Sequence, residues 1–120
     1  MSTDKNCLFC KIIRREIPAD FVYEDDEIVA FRDINPQAPV HNLFVPRRHI
    51  ESANALTEED AALMGRLVLA ARGHAAEQGF ADSGFRLVMN TNAHGCQTVF
   101  HMHLHLLGGG QLAGGFGATR

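Results

Sequence analysis

"HMHLHLL" (residues 101–107) sets three of the chain's seven histidines at alternating positions. On a strand, residues i, i+2 and i+4 share one face, about 7 Å apart. His101, His103 and His105 then face one way, and Met102, Leu104 and Leu106 face the core. On a helix the same spacing would splay the rings around the axis. The stretch therefore reads as part of a strand over residues 99–107.

Working outward, residues 85–90 (FRLVMN) read as a fourth strand, joined to the fifth by the loop TNAHGCQT. Upstream, Thr57-Glu58-Glu59-Asp60 supplies an N-cap and an acidic first turn. Leu56, Leu63, Leu67, Val68 and Ala71 recur at helical spacing, which predicts a helix from Thr57 to about Gln78, stopped by Gly79. Residues 21–24 and 28–32 form a hairpin about Asp25-Asp26. INPQAPVH is a loop, and residues 42–46 are a third strand that Pro46 ends. Residues 7–15 suit a short N-terminal helix, with Pro18 just beyond. Short turns, with one long helix between strands three and four, predict an α+β fold on an antiparallel five-stranded sheet. The chain reads as one domain, 1–120. Its end, GGGQLAGGFGATR, has six glycines in 13 residues. Residues 111–120 are expected to be a mobile tail or to lie on a partner.

Composition sets the function classes. The apolar fraction of 46% and charged fraction of 21% are those of a globular protein with a real core. A net charge of -3 argues against general nucleic-acid binding. No apolar run approaches the roughly 20 residues of a membrane span. The polar start MSTDKNCLFC lacks a signal peptide's apolar stretch, so a cytoplasmic location is expected. Three cysteines in a reducing compartment point to free thiols or a metal rather than a disulfide framework.

Two chemistries fit the histidine row. The first is metal ligation by His-x-His on a strand. No Asp or Glu follows residue 82, so any carboxylate ligand comes from earlier in the chain. The second is nucleophilic catalysis. Neutral imidazole is abundant at pH 7, and one ring nitrogen can attack phosphorus while a backbone carbonyl holds the other. Flanking imidazoles then donate protons to phosphate oxygens or to the leaving group.

The pattern His-φ-His-φ-His-φ-φ resembles the signature of the histidine triad (HIT) superfamily. "FCKIIRREIPADFVYEDDEIVAFRDINPQAPVHNLFVPRRHI" and "GFRLVMN…GCQTVFHMHLHLLGG" resemble its Hint branch. The resemblance implies a HIT-like fold whose sheet continues across a homodimer. It implies hydrolysis of the P–N bond of purine nucleoside 5′-phosphoramidates, such as AMP-linked amines, and of acyl-AMP. The nucleophile would be His103, carrying a nucleotidyl intermediate. His105 and Thr98 match positions at the phosphate and leaving group, and His101 completes the triad. Gln97 and Asn90 match positions near the phosphate and ribose, with the Gln97 backbone amide offered to phosphate oxygens. Asp33 matches the carboxylate that takes both ribose hydroxyls. Phe31 and Ile34 match apolar residues that sandwich the base, and His41 matches a histidine that supports the triad.

Cys7 and Cys10 form a Cys-x₂-Cys pair ahead of the first strand, the wrong place for a thioredoxin-like redox motif. The resemblance implies a structural zinc on Cys7, Cys10, His49 and His101, with no catalytic metal. One position departs from the family pattern: Gly95-Cys96 stands where Gly-Gly is usual, putting a Cβ where φ > 0 would be disfavoured. The tail has no Trp, which changes the wall beside the leaving group. The alternatives are a dinucleoside polyphosphate hydrolase, a nucleotide-binding regulator, and a metal-dependent hydrolase.

Overall fold

The computed structural model describes residues 6–116. Its strands are β1 (Phe21–Glu24), β2 (Ile28–Arg32), β3 (Val40–Pro46), β4 (Arg86–Val88) and β5 (Leu104–Gly108), and its helices are α1 (Leu8–Ile13) and α2 (Ala61–Glu77). All neighbouring strands pair antiparallel, in the order β1-β2-β3-β5-β4. The last strand in sequence therefore inserts between β3 and β4. This insertion carries the histidine segment to the middle of the molecule.

Both faces of the sheet are covered, which explains why β2 is buried at four successive residues. Ile28 and Ala30 pack with Phe44, Leu104, Leu106 and the α2 residues Leu67 and Ala71. Val29 and Phe31 pack with Leu43, Val45 and the α1 residues Phe9, Cys10 and Ile12. Full burial of one large side chain contributes roughly 1.5–3 kcal/mol before entropy is counted. Met102, Leu104 and Leu106 are buried as expected.

The β1–β2 hairpin is set by Asp25. Its Oδ1 accepts from the amides of Glu27 and Ile28, both at 2.8 Å, an Asx-type turn. Thr57 opens a 3₁₀ turn over Glu58–Asp60 before α2 proper, and Asp60 Oδ2 accepts from the Thr57 amide at 2.9 Å. At the far end Gly79 has φ +86°, and the Phe80 amide reaches back to the Ala75 carbonyl at 3.1 Å. The chain turns there and drops Phe80 onto Gly108. A Cβ at Gly108 would come within 2.3 Å of the Phe80 ring, so that position tolerates only glycine without repacking.

Element ends differ from expectation. β3 begins at Val40 because Val40 pairs with Gly108. β4 is confined to residues 86–88, and α1 ends at Ile13. The largest correction is β5, which starts at Leu104 rather than at residue 99. The register Phe44↔Leu104 sets Met102 opposite Pro46, which has no N–H to extend the ladder. The Met102 amide donates instead to the Ile50 carbonyl at 2.7 Å. His101 and His103 thus lie outside the ladder, His101 in a bend. Over 111–116 the tail is irregular, and the Arg86 guanidinium donates to the Ala113 carbonyl at 2.7 Å. The tail's last four residues lie outside the described residues. No described helix is long and apolar enough to cross a membrane.

Candidate active site and metal cluster

Three ring orientations decide what the row can do. His103 Nδ1 lies 2.8 Å from the His101 carbonyl. A carbonyl only accepts, so Nδ1 carries the proton and Nε2 keeps its lone pair. The ring is buried, with the edge of Phe9 packed on it at 5.0 Å between centroids. Burial holds its pKa below the usual histidine range, so it is neutral at pH 7. Its Nε2 lone pair is therefore free of a proton and held in a fixed direction, as a nucleophile requires.

His105 has the opposite tautomer, set by a relay. The Gln37 amide donates to His41 Nδ1 at 3.0 Å. His41 Nε2 therefore bears the proton, which it gives to His105 Nδ1 at 2.9 Å. That leaves the His105 proton on Nε2, a buried atom with no partner among the described residues. Burial, reinforced by the neighbouring His103 and His41 rings, lowers the His105 pKa to about 4. The rings of His103 and His105 sit 5.0 Å apart. One ring offers a lone pair and the other an N–H, the two groups that displacement at phosphorus needs.

His101 does not belong with them. Its Nε2 donates to the Pro46 carbonyl at 2.7 Å. Its Nδ1 lone pair faces the thiols of Cys7 at 3.3 Å and Cys10 at 3.5 Å. His101 serves the row through its carbonyl, and its ring serves a second cluster. There Cys10 Sγ lies 3.5 Å from His49 Nδ1, and the ligand atoms of Cys7, Cys10, His49 and His101 all lie within 4.8 Å of one another. Tetrahedral zinc with ordinary Zn–S and Zn–N bonds needs S···N edges of about 3.6 Å. The observed separations fit, and two thiols with two imidazoles form a zinc donor set. Burial pushes the Cys7 thiol up to about 11, a cost that a bound cation reverses.

Asp33, His41 and His105 also converge within 4.8 Å. The relay argues against a catalytic metal there, because a proton already occupies the short His41–His105 contact. Asp33 is half-buried: Oδ1 accepts from the Asn35 amide at 2.8 Å, and Oδ2 lies 3.4 Å from His41 Nε2. It is thus both a turn former and a neighbour of the relay.

Other expected residues fall differently. Ile34 is fully exposed. Phe31 is 3% exposed, edge-on to Phe9 and Phe21, so it floors the α1-side core and presents no open ring face. Gln97 is buried, and its side chain holds the loop. Oε1 accepts from the Asn92 amide at 2.9 Å, and Nε2 donates to the Glu51 and Val99 carbonyls at 2.7 and 3.0 Å. Its own amide donates to the Asn92 carbonyl at 3.0 Å, so that amide is not offered to phosphate. Thr98, next in the chain, is exposed, as is His94. Asn90 is half-buried beyond β4, its backbone packed under the Gly95 turn. Cys96 does take the left-handed conformation, φ 65° and ψ 32°.

Sequence reasoning passed over three contributors. Phe9 stands between Cys7 and Cys10, and nothing in the sequence marks it as a ring that packs on His103. Gln37 and Pro46 act through backbone atoms, which leave no side-chain signal.

The chain's likenesses to known proteins agree with this geometry. The family described as "Scavenger mRNA decapping enzyme C-term binding" matches residues 6–116. The purine nucleoside phosphoramidase of Escherichia coli (strain K12) is 52% identical over 102 residues, covering 85% of this chain and 86% of that protein. The crystal structure of a HIT family hydrolase from Legionella pneumophila Philadelphia 1 is 49% identical, with a TM-score of 0.88 over 90% of this chain and 96% of that one. A histidine triad protein from Clostridium difficile is 38% identical, with a TM-score of 0.92 over 95% and 99%.

Proposed function

The chain belongs to the histidine triad family, and from that premise we propose that it hydrolyses purine nucleoside 5′-phosphoramidates through a nucleotidyl intermediate on His103. The carrying observation is the paired tautomers, a bare Nε2 on His103 beside an N–H on His105. His103 Nε2 attacks the α-phosphorus. A P–N bond to the ring forms, and the P–N bond to the amine breaks. The amine leaves with the electron pair and takes up a proton from solvent, which the water of the second step gives back. The His101 carbonyl stabilises the positive charge on the imidazole through its Nδ1–H. His105 Nε2–H is a hydrogen-bond donor to a phosphate oxygen or to the leaving nitrogen and keeps its proton, and the Thr98 hydroxyl is assigned to the same groups. Water then attacks phosphorus, releasing the nucleoside monophosphate and restoring neutral His103.

Asp33 takes the ribose hydroxyls through the lone pairs its turn leaves free. The base is assigned to the α1 side of the site, where Ile34 is free to close over it and Phe31, with no open ring face, backs the wall from the core; Asn90 and the loop held by Gln97 border the phosphate. Cys7, Cys10, His49 and His101 would hold one zinc ion. The ion would keep the thiols ionised and pin α1 to the histidine segment. The protein works as a homodimer on AMP or GMP conjugates, and a cytoplasmic setting keeps Cys7, Cys10 and Cys96 out of disulfides.

The deciding experiment compares turnover of adenosine 5′-phosphoramidate with that of a diadenosine polyphosphate. The phosphoramidate should be the better substrate by at least tenfold in kcat/KM. The reverse order would make the protein a dinucleoside polyphosphate hydrolase. Binding of AMP with turnover of neither would make it a nucleotide-binding regulator.

A further inference from the structure

The four members of the Cys/His cluster are not equally enclosed. Cys10 and His101 are 1% and 0% exposed. Cys7 and His49 line a cavity of about 360 Å³, which neither Cys10 nor His101 borders. Leu8, Glu51, Val99 and Phe100 supply more of its walls, and neither His103 nor His105 does. The cavity therefore borders the cluster and stands apart from the reacting pair. At about 30 Å³ per water molecule, it has room for a hydrated divalent cation.

Its lining suits a cation in transit. Glu51 is the one acidic residue in the walls, and no Lys or Arg lines them. Leu8 and Phe100, both apolar, border the cavity and are half-exposed. A single sign of charge between low-dielectric walls focuses the field and concentrates the counter-ion. The segment that carries Glu51 is fixed. The Glu51 carbonyl accepts from Gln97 Nε2 at 2.7 Å, and the preceding Ile50 carbonyl accepts from the Met102 amide at 2.7 Å. A lone carboxylate holds a hydrated cation loosely, and two thiolates with two imidazoles hold zinc tightly.

We infer that this cavity is the port through which the cluster exchanges its metal, and that Glu51 is the transit ligand for a zinc-type divalent cation on its way to Cys7 and His49. This rests on the zinc reading above. Loading displaces the two thiol protons to solvent and leaves two thiolates on the cation. A transit ligand lowers the barrier in both directions and leaves the equilibrium alone. The test mixes zinc-loaded protein with excess cadmium ion and follows the ultraviolet band of cadmium–thiolate bonds. Competition with a chelator gives the zinc affinity. Glu51→Gln should slow exchange about tenfold at low salt, with zinc affinity within twofold of wild type. Glu51→Lys should slow it further, and added salt should bring the wild-type rate toward that of Glu51→Gln. Glu59→Gln, which removes an exposed carboxylate outside the cavity, should leave the rate unchanged. Wild-type exchange rates in both Glu51 variants overturn the port, as does equal slowing by Glu59→Gln. A zinc affinity that falls as Glu51 is changed makes Glu51 a holding ligand and overturns its transit role. Wild-type protein that binds neither zinc nor cadmium overturns the metal site, and the port with it.

Discussion

A histidine becomes a nucleophile or a proton donor according to what its other nitrogen touches. His103 and His105 are the same residue type with opposite tautomers, because one is pinned by a carbonyl and the other by a relay from Gln37 through His41. His103→Ala should reduce kcat at least a thousandfold while AMP binding, read by calorimetry, persists; kcat near the wild-type value would remove it as nucleophile. The row also makes stability depend on pH. In the unfolded chain His105 titrates near 6.5, whereas in the fold burial holds it at about 4. Between these values the unfolded chain binds the extra proton. The contribution of this one group is therefore complete above pH 6.5 and falls as pH drops toward 4. Urea midpoints at pH 7, 5.5 and 4.5 should show the fall, and His105→Asn should shrink its slope by about one proton. An unchanged slope in the variant would assign the acid sensitivity elsewhere. Cys96 offers the opposite kind of test. A side chain in the left-handed region costs about 1–2 kcal/mol, and glycine's extra freedom in the unfolded chain costs about 0.4–1 kcal/mol. With φ at 65°, Cys96→Gly should raise stability by up to about 1 kcal/mol, seen as a Tm increase of a few degrees. A lower Tm would mean the thiol makes contacts that outweigh the strain.

At the scale of elements, the strands and α2 were legible because their signals are local: alternation, the Thr57 cap, the Gly79 stop. What was not legible was the position of the last strand between β3 and β4, because sequence order says nothing about insertion. Nor was the break at Leu104, since it depends on which residue stands opposite Pro46. The four members of the Cys/His cluster could be grouped only through likeness to a family. Their convergence comes from α1, the segment after β3 and the chain entering β5, elements far apart in sequence. Three such pieces joined at one point predict a large effect of the metal on stability. Carefully purified protein should contain about one zinc per chain. Cys7→Ser combined with Cys10→Ser should lose it and lower Tm by ten degrees or more, with α1 the first segment to lose protection from hydrogen exchange. A metal-free wild type of full stability would show that buried thiols alone hold α1 in place.

The whole molecule has two sheet edges, and they are not equivalent. The β1 edge carries a register irregularity between Phe21 and Tyr23. Charge also guards it, since Glu24 pairs with Arg15 at 2.6 Å and with Arg47 at 3.2 Å. These are devices that discourage edge pairing. The β4 edge is only partly covered, over Arg86, Leu87 and Val88. On α2, Val68 and Leu69 are 45% and 59% exposed. A two-fold axis beside β4 would pair β4 with its copy, continue the sheet across both chains, and let the α2 faces meet. Light scattering at micromolar concentration should therefore return twice the chain mass of 13.2 kDa. Val68→Glu combined with Leu69→Glu changes residues already in solvent in the isolated protomer, so the helix should persist by circular dichroism while the mass falls to that of one chain. A wild-type mass of 13.2 kDa under those conditions would refute the dimer. A dimer that survives both glutamates would place its interface on β4 alone.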